Sequence, residues 1–340
     1  MEIISKALLV VSENGKNRGY VDYLSKKYNF KKPQIIHINS YPTIDILENF
    51  KSNLKKSKFE LIIAIGGGSV LDSAKVLSVF LDNNLSDDLN EVIKNPDILD
   101  NVNKIQLHAY PTTAGTGAEV TQFSTIWDFK KNKKFSLDHQ KLLPDHYFLE
   151  EKFLDTLTGQ NLLHPFLDTI SHAFESLWNK NRNINSIKYA IDSLELNIKT
   201  LRAFCLKDDT YDFEKMILAS NFAGKAINIT RTSIAHSISY PLTAKYKIPH
   251  GLACSFTIPR IFDYVKDDEI MKNNINLLEE ITNLLINLKL DEEIISYLKT
   301  ETIDIPFEDF LSTRSENFIL KIDKDHISNF ISLNSSNTLI

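Results

Sequence analysis

Four side chains in the second half of this chain carry the chemistry of metal donors: Asp168, His172, His236 and His250. Asp168 and His172 are four residues apart, a spacing that places them on one helix face, one turn from each other. His236 follows Ala235, and His250 sits in Ile248-Pro249-His250-Gly251, so the pair brackets a proline-containing segment. One carboxylate and three imidazoles form a mixed oxygen and nitrogen set suited to a divalent first-row metal. If the four converge, the chain is a metal-dependent enzyme.

Two loops offer a partner for such a metal. Ile62-Ile63-Ala64-Ile65 runs into Gly66-Gly67-Gly68-Ser69 and then into a helical pattern over residues 70–80. Strand, glycine turn and helix start can form a phosphate cradle, because bare backbone approaches the phosphates and the helix N-terminus presents free N–H groups. The same three glycines also suit a tight structural turn, and they do not follow the usual Gly-x-Gly-x-x-Gly spacing. Asp72, read as lying in the first turn of that helix, either complements the helix dipole or contacts a ribose or nicotinamide group. The second loop, residues 111–119, holds Thr112, Thr113 and Thr116 beside Gly115 and Gly117, again after a strand-like run. Hydroxyl and amide donors at strand carboxyl ends are well placed for a dinucleotide in an open α/β sheet.

The elements that must position these residues fall into two parts. Strand patterns at residues 7–11, 34–38, 61–65 and 106–110 alternate with helical patterns at 19–28 and 44–56, which predicts a parallel sheet with crossover helices. From about residue 154 long amphipathic patterns take over, at 163–178, 187–204, 213–228 and 274–288. The predicted domains are therefore residues 1–153 and 154–340, and a chain of 340 residues suits two cores. The stretch from about residue 301 is polar and weakly periodic and suggests no role. Lysine-rich stretches at 51–58 and 130–134 read as solvated faces. A net charge of -5 argues against nucleic acid as a partner. No apolar run approaches the ~20 residues that span a bilayer. Two cysteines and no signal-peptide layout point to a reducing cytoplasm.

Taken together, the order of these motifs resembles the iron-containing (group III) alcohol dehydrogenase family. The resemblance rests on Tyr41-Pro42-Thr43, Ala64 through Ser69, Pro111 through Thr121, Asp168 with His172, and Ala235-His236 through Pro249-His250-Gly251. It implies an α/β Rossmann-like amino-terminal domain followed by an all-helical carboxyl-terminal domain, the dehydroquinate synthase-like architecture. It also implies that Asp168, His172, His236 and His250 bind the catalytic metal. Gly67, Gly68, Ser69 and Asp72 would contact NAD or NADP, with Thr112, Thr113, Thr116 and Lys134 completing that site. Four protein ligands on a five- or six-coordinate ion leave a position for substrate, which suits Fe(II) better than Zn(II), although zinc generally binds such sites more tightly. The expected activity is reduction of a small aldehyde or oxidation of the alcohol, in a homodimer. A lyase of the dehydroquinate synthase type and a catalytically silent binding protein are the rival readings.

Three features depart from the family pattern. Many members carry a further histidine four residues after the first late metal histidine, and here Tyr240 stands there, a phenol able to donate a proton or simply to pack. The segment 36–42 after the second strand lacks the carboxylate that binds the ribose 2′-hydroxyl of NAD, and no arginine replaces it, so NAD and NADP both stay open. Finally, Thr230-Arg231-Thr232-Ser233-Ile234-Ala235 leads into His236. The run resembles the branch that reduces phosphonoacetaldehyde to 2-hydroxyethylphosphonate, with Arg231 as the substrate-binding group for an anion and Lys245 as a second positive charge. A structural ion pair is the other role open to Arg231. Cys254, four past His250, reads as a small buried hydrophobe.

Overall fold

The computed structural model describes residues 4–15, 17–39, 41–131, 133–300 and 302–333. Residues 1–3, Lys16, Ser40, Asn132, Glu301 and the last seven residues lie outside them. By internal contacts the chain divides into two compact units, one formed by Met1–Thr113 and Gly117–Phe153, the other by Ala114–Thr116 and Leu154–Ile340.

The first unit is built on a parallel sheet of β1 (Ala7–Ser12), β2 (Gln34–Ile38), β3 (Leu61–Gly66), β4 (Gln106–Pro111) and the short β7 (His146–Tyr147), in the order β2-β1-β3-β4-β7. β5 (Phe123–Asp128) and β6 (Lys133–Asp138) form a separate antiparallel pair. β3 is buried along its whole length, as its unbroken Leu-Ile-Ile-Ala-Ile run requires of a strand covered on both faces. Alternate residues feed two cores. Leu8, Val10, Ile62 and Ala64 pack on one face with α2 (Ile44–Leu54) and α3 (Gly68–Phe80), while Leu9, Val11, Ile63 and Ile65 pack on the other with α1 (Tyr20–Lys27) and Phe153. The order β2-β1-β3 reverses direction between β1 and β3, so the glycine turn after β3 lies at the carboxyl edge where open α/β sheets take ligands.

The second unit is helical among the described residues. It follows α4 (Leu89–Lys94) of the first unit with α5 (Gln160–Leu177), α6 (Ile184–Leu206), α7 (Phe213–Thr230), α8 (Ile234–Tyr246), α9 (His250–Ser255), α10 (Ile258–Val265), α11 (Glu269–Asn273), α12 (Ile275–Asn287), α13 (Leu290–Leu298) and α14 (Lys324–Phe330). Residues 166–177 of α5 are all buried, so this helix is the axis of the unit rather than a surface helix. α6, α7 and α9 pack around it. Two of its neighbours start on clear caps, Asn183 for α6 and Asp212 for α7. No helix among the described residues is long and apolar enough to cross a membrane.

Two expectations need correction here. Lys51 is not on a solvated face: it is buried, and its Nζ donates to the carbonyls of Asp82, Leu85 and Ser86. A buried ammonium survives there because carbonyl oxygens replace its water. Asp72 lies past the first turn of α3, which contains no acidic residue.

Candidate functional site

The expected donors converge inside the helical unit. Asp168 Oδ1 is 3.4 Å from His236 Nε2, 3.6 Å from His172 Nε2 and 3.9 Å from His250 Nε2. These gaps exceed ordinary N···O hydrogen bonds of ~2.7–3.2 Å. They approach the ~3–3.5 Å between neighbouring donors that metal–ligand bonds of ~2.1 Å impose. Asp168 Oδ1 and His236 Nε2 are buried and have no hydrogen-bond partner. An orphaned carboxylate oxygen facing three imidazoles is costly unless a cation sits among them. The residues fit a divalent metal.

Burial would raise the Asp168 carboxyl, but the imidazoles of His172, His236 and His250 outweigh it and hold it well below the usual carboxylate range. Burial lowers His172. For His236 burial also acts downward, yet Cys254, Glu175 and Asp168 together drive it well above its ordinary value. The carboxylates that favour a proton on His236 would favour a divalent cation in its place.

Glu175 was not singled out from the sequence. It is fully buried, its Oε2 lies 2.6 Å from His236 Nδ1, and its Oε1 accepts from the backbone N–H of His236 at 2.9 Å. A carboxylate on the far nitrogen fixes the ring so that Nε2 faces the other donors. The signal was available: Asp168, His172 and Glu175 fall at positions i, i+4 and i+7, one stripe of one helix.

Close backbone approach brings α9 to α5. A Cβ on Gly251 would lie 1.9 Å from the carbonyl oxygen of His164, so glycine next to His250 is a steric condition of the site. His164 itself serves structure, with Nε2 2.9 Å from Glu293 of α13. His236 is placed by the turn before α8, where Arg231 adopts φ +64°, a value strained for any residue with a Cβ. Asn179 holds the Arg231 carbonyl and Asn317 holds that of Thr232. Ser237 donates to the Phe310 carbonyl at 2.5 Å. The polar stretch after residue 301, for which the sequence suggested no role, thus braces the helix start that carries His236.

In the first unit the two loops meet. Thr112 N–H donates to the Gly66 carbonyl, and Thr113 packs so near Gly67 that a Cβ there would lie 3.3 Å from its hydroxyl. No side chain caps the first turn of α3, and Gly67, Gly68 and Ser69 remain partly accessible. Asp72 Oδ2 accepts from Thr125 N–H, and Oδ1 is 3.5 Å from the buried Lys75. Its carboxyl is pushed up by burial, against the pull of Lys75, Thr125 and the nearby Lys134. Lys134 also lies over the Trp127 ring. Thr116 is exposed and groups with the second unit, where Gly115 accepts from Thr169.

Residues 1–151 match the sequence family described as iron-containing alcohol dehydrogenase, and residues 164–300 match the C-terminal family of the Fe-containing alcohol dehydrogenases. The chain belongs to the iron-containing alcohol dehydrogenase family. Among its relatives, a phosphonoacetaldehyde reductase of Streptomyces viridochromogenes is 30% identical over 238 residues, 68% of this chain and 60% of the relative. An NADPH-dependent butanol dehydrogenase of Clostridium saccharobutylicum is 27% identical over 83% of this chain and 76% of its own length. The fold is shared with a sulfoacetaldehyde reductase from Bifidobacterium kashiwanohense solved with NAD+, at TM-score 0.83 and 19% identity over 98% and 92% of the two chains. An iron-containing alcohol dehydrogenase from Thermotoga maritima aligns at TM-score 0.80 and 22% identity over 96% and 90%.

In this chain Tyr240 stacks on the His250 ring at 6.0 Å and meets His236 edge-on at 6.4 Å. The Arg231 guanidinium donates to the Asn228 carbonyl at the end of α7. Lys245 is engaged by Asp304.

Proposed function

We propose that the chain is a metal-dependent, nicotinamide-linked aldehyde reductase and alcohol dehydrogenase that prefers a small anionic aldehyde of the phosphonoacetaldehyde type. The observation that carries this reading is the buried, unpartnered Asp168 Oδ1 ringed by three imidazoles in a member of this family. A divalent metal held by Asp168, His172, His236 and His250 supplies Lewis acidity to a carbonyl or alkoxide oxygen. Glu175 keeps His236 in the tautomer whose Nε2 is free to bind. His250 is a third exposed while the other donors are buried, which gives substrate its side of approach.

Gly67, Gly68 and Ser69 bind the cofactor's pyrophosphate through the uncapped N–H groups of α3. Thr112, Thr113 and Lys134 line the same cofactor, and Asp72 orders that edge by tying α3 to Thr125. Tyr240, against the rings of two ligands, donates the proton to the nascent alkoxide. Arg231 binds the substrate anion, its five donors allowing it to hold Asn228 and a phosphonate together.

The test is an aldehyde panel with NADH and NADPH on protein loaded anaerobically with Fe(II). Phosphonoacetaldehyde should be reduced faster than neutral aldehydes of its size, and Arg231→Ala should remove that preference. Faster turnover of a neutral aldehyde overturns the anion assignment, and inactivity on every aldehyde with both cofactors overturns the wider one. Unchanged turnover in Tyr240→Phe would dismiss Tyr240 as donor.

A further inference from the structure

A compact group of four donor residues in the helical unit includes one residue the ligand pattern does not name. Ligand atoms of Asp168, His236, His250 and Cys254 all lie within 4.8 Å of one another. Cys254 is one turn past His250 on α9, is fully buried, and places Sγ 3.8 Å and 3.9 Å from the two ring nitrogens of His250. With metal–sulfur bonds of ~2.3 Å and metal–nitrogen bonds of ~2.1 Å, donors bound to one tetrahedral ion stand ~3.6 Å apart. The Sγ position is close to that distance without any rearrangement of the helix.

Packing alone does not account for this placement. A buried cysteine that merely fills space meets apolar neighbours, as a small hydrophobe would. Cys254 Sγ instead lies within 4.8 Å of the Asp168 carboxylate, whose Oδ1 is buried and accepts no hydrogen bond. The unpartnered oxygen and the sulfur therefore point into the same small volume.

We infer that Cys254 is a sulfur ligand of the metal held by Asp168, His236 and His250. The inference rests on the metal-site reading above and deepens it. Its consequence is selectivity. A soft sulfur donor added to imidazole and carboxylate favours Zn(II) or Co(II) over Fe(II). Two side chains then compete for the remaining position on the ion, His172 from α5 and Cys254 from α9, and the metal loaded decides between them. Sulfur binding proceeds with loss of the thiol proton to solvent and no change in oxidation state.

The probe is Co(II) added to the full-length, metal-stripped protein and followed by absorption rather than turnover. The expected result is visible ligand-field bands from bound cobalt together with a near-ultraviolet sulfur-to-cobalt charge-transfer band. Cys254→Ser should lose the charge-transfer band and keep the ligand-field bands, and zinc should displace Fe(II) less readily from that variant than from the parent. The first readout needs no variant, so a folding defect in Cys254→Ser cannot obscure it. Ligand-field bands without a charge-transfer band in the parent overturn the sulfur assignment and leave the metal site standing. Failure of the parent to bind cobalt overturns the metal site itself, and the sulfur proposal with it.

Discussion

The metal centre and the glycine cradle solve opposite problems. The cradle is local: a buried strand, three glycines and an uncapped helix start follow one another within residues 61–80, and what they offer is backbone. The metal centre draws side chains from α5, α8 and α9, and each depends on packing far from it in sequence. His236 alone is set by Glu175, by the strained turn at Arg231, and by Asn179 and Asn317. A site made of backbone tolerates substitution of its neighbours, whereas one made of buried charges fails when any support is removed.

The strongest way to break this contrast is Gly251→Ala. Its Cβ would enter the His164 carbonyl, which is backbone and cannot rotate away. The cost should exceed the ~1–3 kcal/mol of ordinary core overpacking, and melting of the helical unit should drop accordingly. Thermal unfolding followed by far-ultraviolet circular dichroism checks this, and a parent-like melting point would show that α5 and α9 can part freely. A smaller effect is expected from Glu175→Gln, which keeps the shape and removes the charge. Outer carboxylates on metal-bound imidazoles contribute roughly 10–100-fold to metal affinity, so zinc titration should weaken by that factor with the fold intact. Unaltered affinity would make Glu175 a packing residue. Smaller still is Gly67→Ala. The backbone there has φ -75°, which alanine adopts, and the new methyl group would sit 3.3 Å from the Thr113 hydroxyl. Dinucleotide binding should weaken several-fold by fluorescence titration while metal affinity stays constant, and loss of both together would contradict the separation of the two sites.

How far the sequence could be read follows the same division. β1 and β3 are legible because a strand buried on both faces is a continuous apolar run. β5 is not, because its pattern is inverted. Ser124, Ile126 and Asp128 point inward, Ser124 to bind the Asp72 carbonyl, while Phe123, Thr125 and Trp127 are only half covered. Asp168 and His172 could be paired from helical spacing, but nothing in spacing joins them to His236 and His250, and only the family resemblance supplied that link. α8 shows no amphipathic stripe because nearly all of its first two turns is buried, and Pro241 interrupts it. Lys51 hides from sequence because its partners are carbonyls more than thirty residues away, which carry no side-chain signature.

The smallest expected effect tests the local construction of the first unit by pH, away from both sites. In the first unit Glu150 accepts from Tyr23 at 2.6 Å and pairs with Lys27 and Lys152, each at 3.0 Å. Burial acts to raise this carboxyl, but those partners outweigh it and hold it at about 2, below its ordinary 4.5. A carboxyl depressed on folding adds stability that is complete above its unfolded value and fades as pH falls toward the folded one. Its window therefore runs from about 4.5 down to about 2. His108 acts in a higher window. Burial, with His146 beside it, lowers its ring from 6.5 to about 4, so stability is lost as pH falls through that range and the unfolded chain takes up the proton first. Glu150→Gln should flatten the lower limb of a plot of melting temperature against pH and leave the upper limb unchanged. The Glu150 side chain is a quarter exposed, so the change should be modest. If both limbs flatten together, the two groups titrate as one unit, and the α/β region is less modular than its local construction implies.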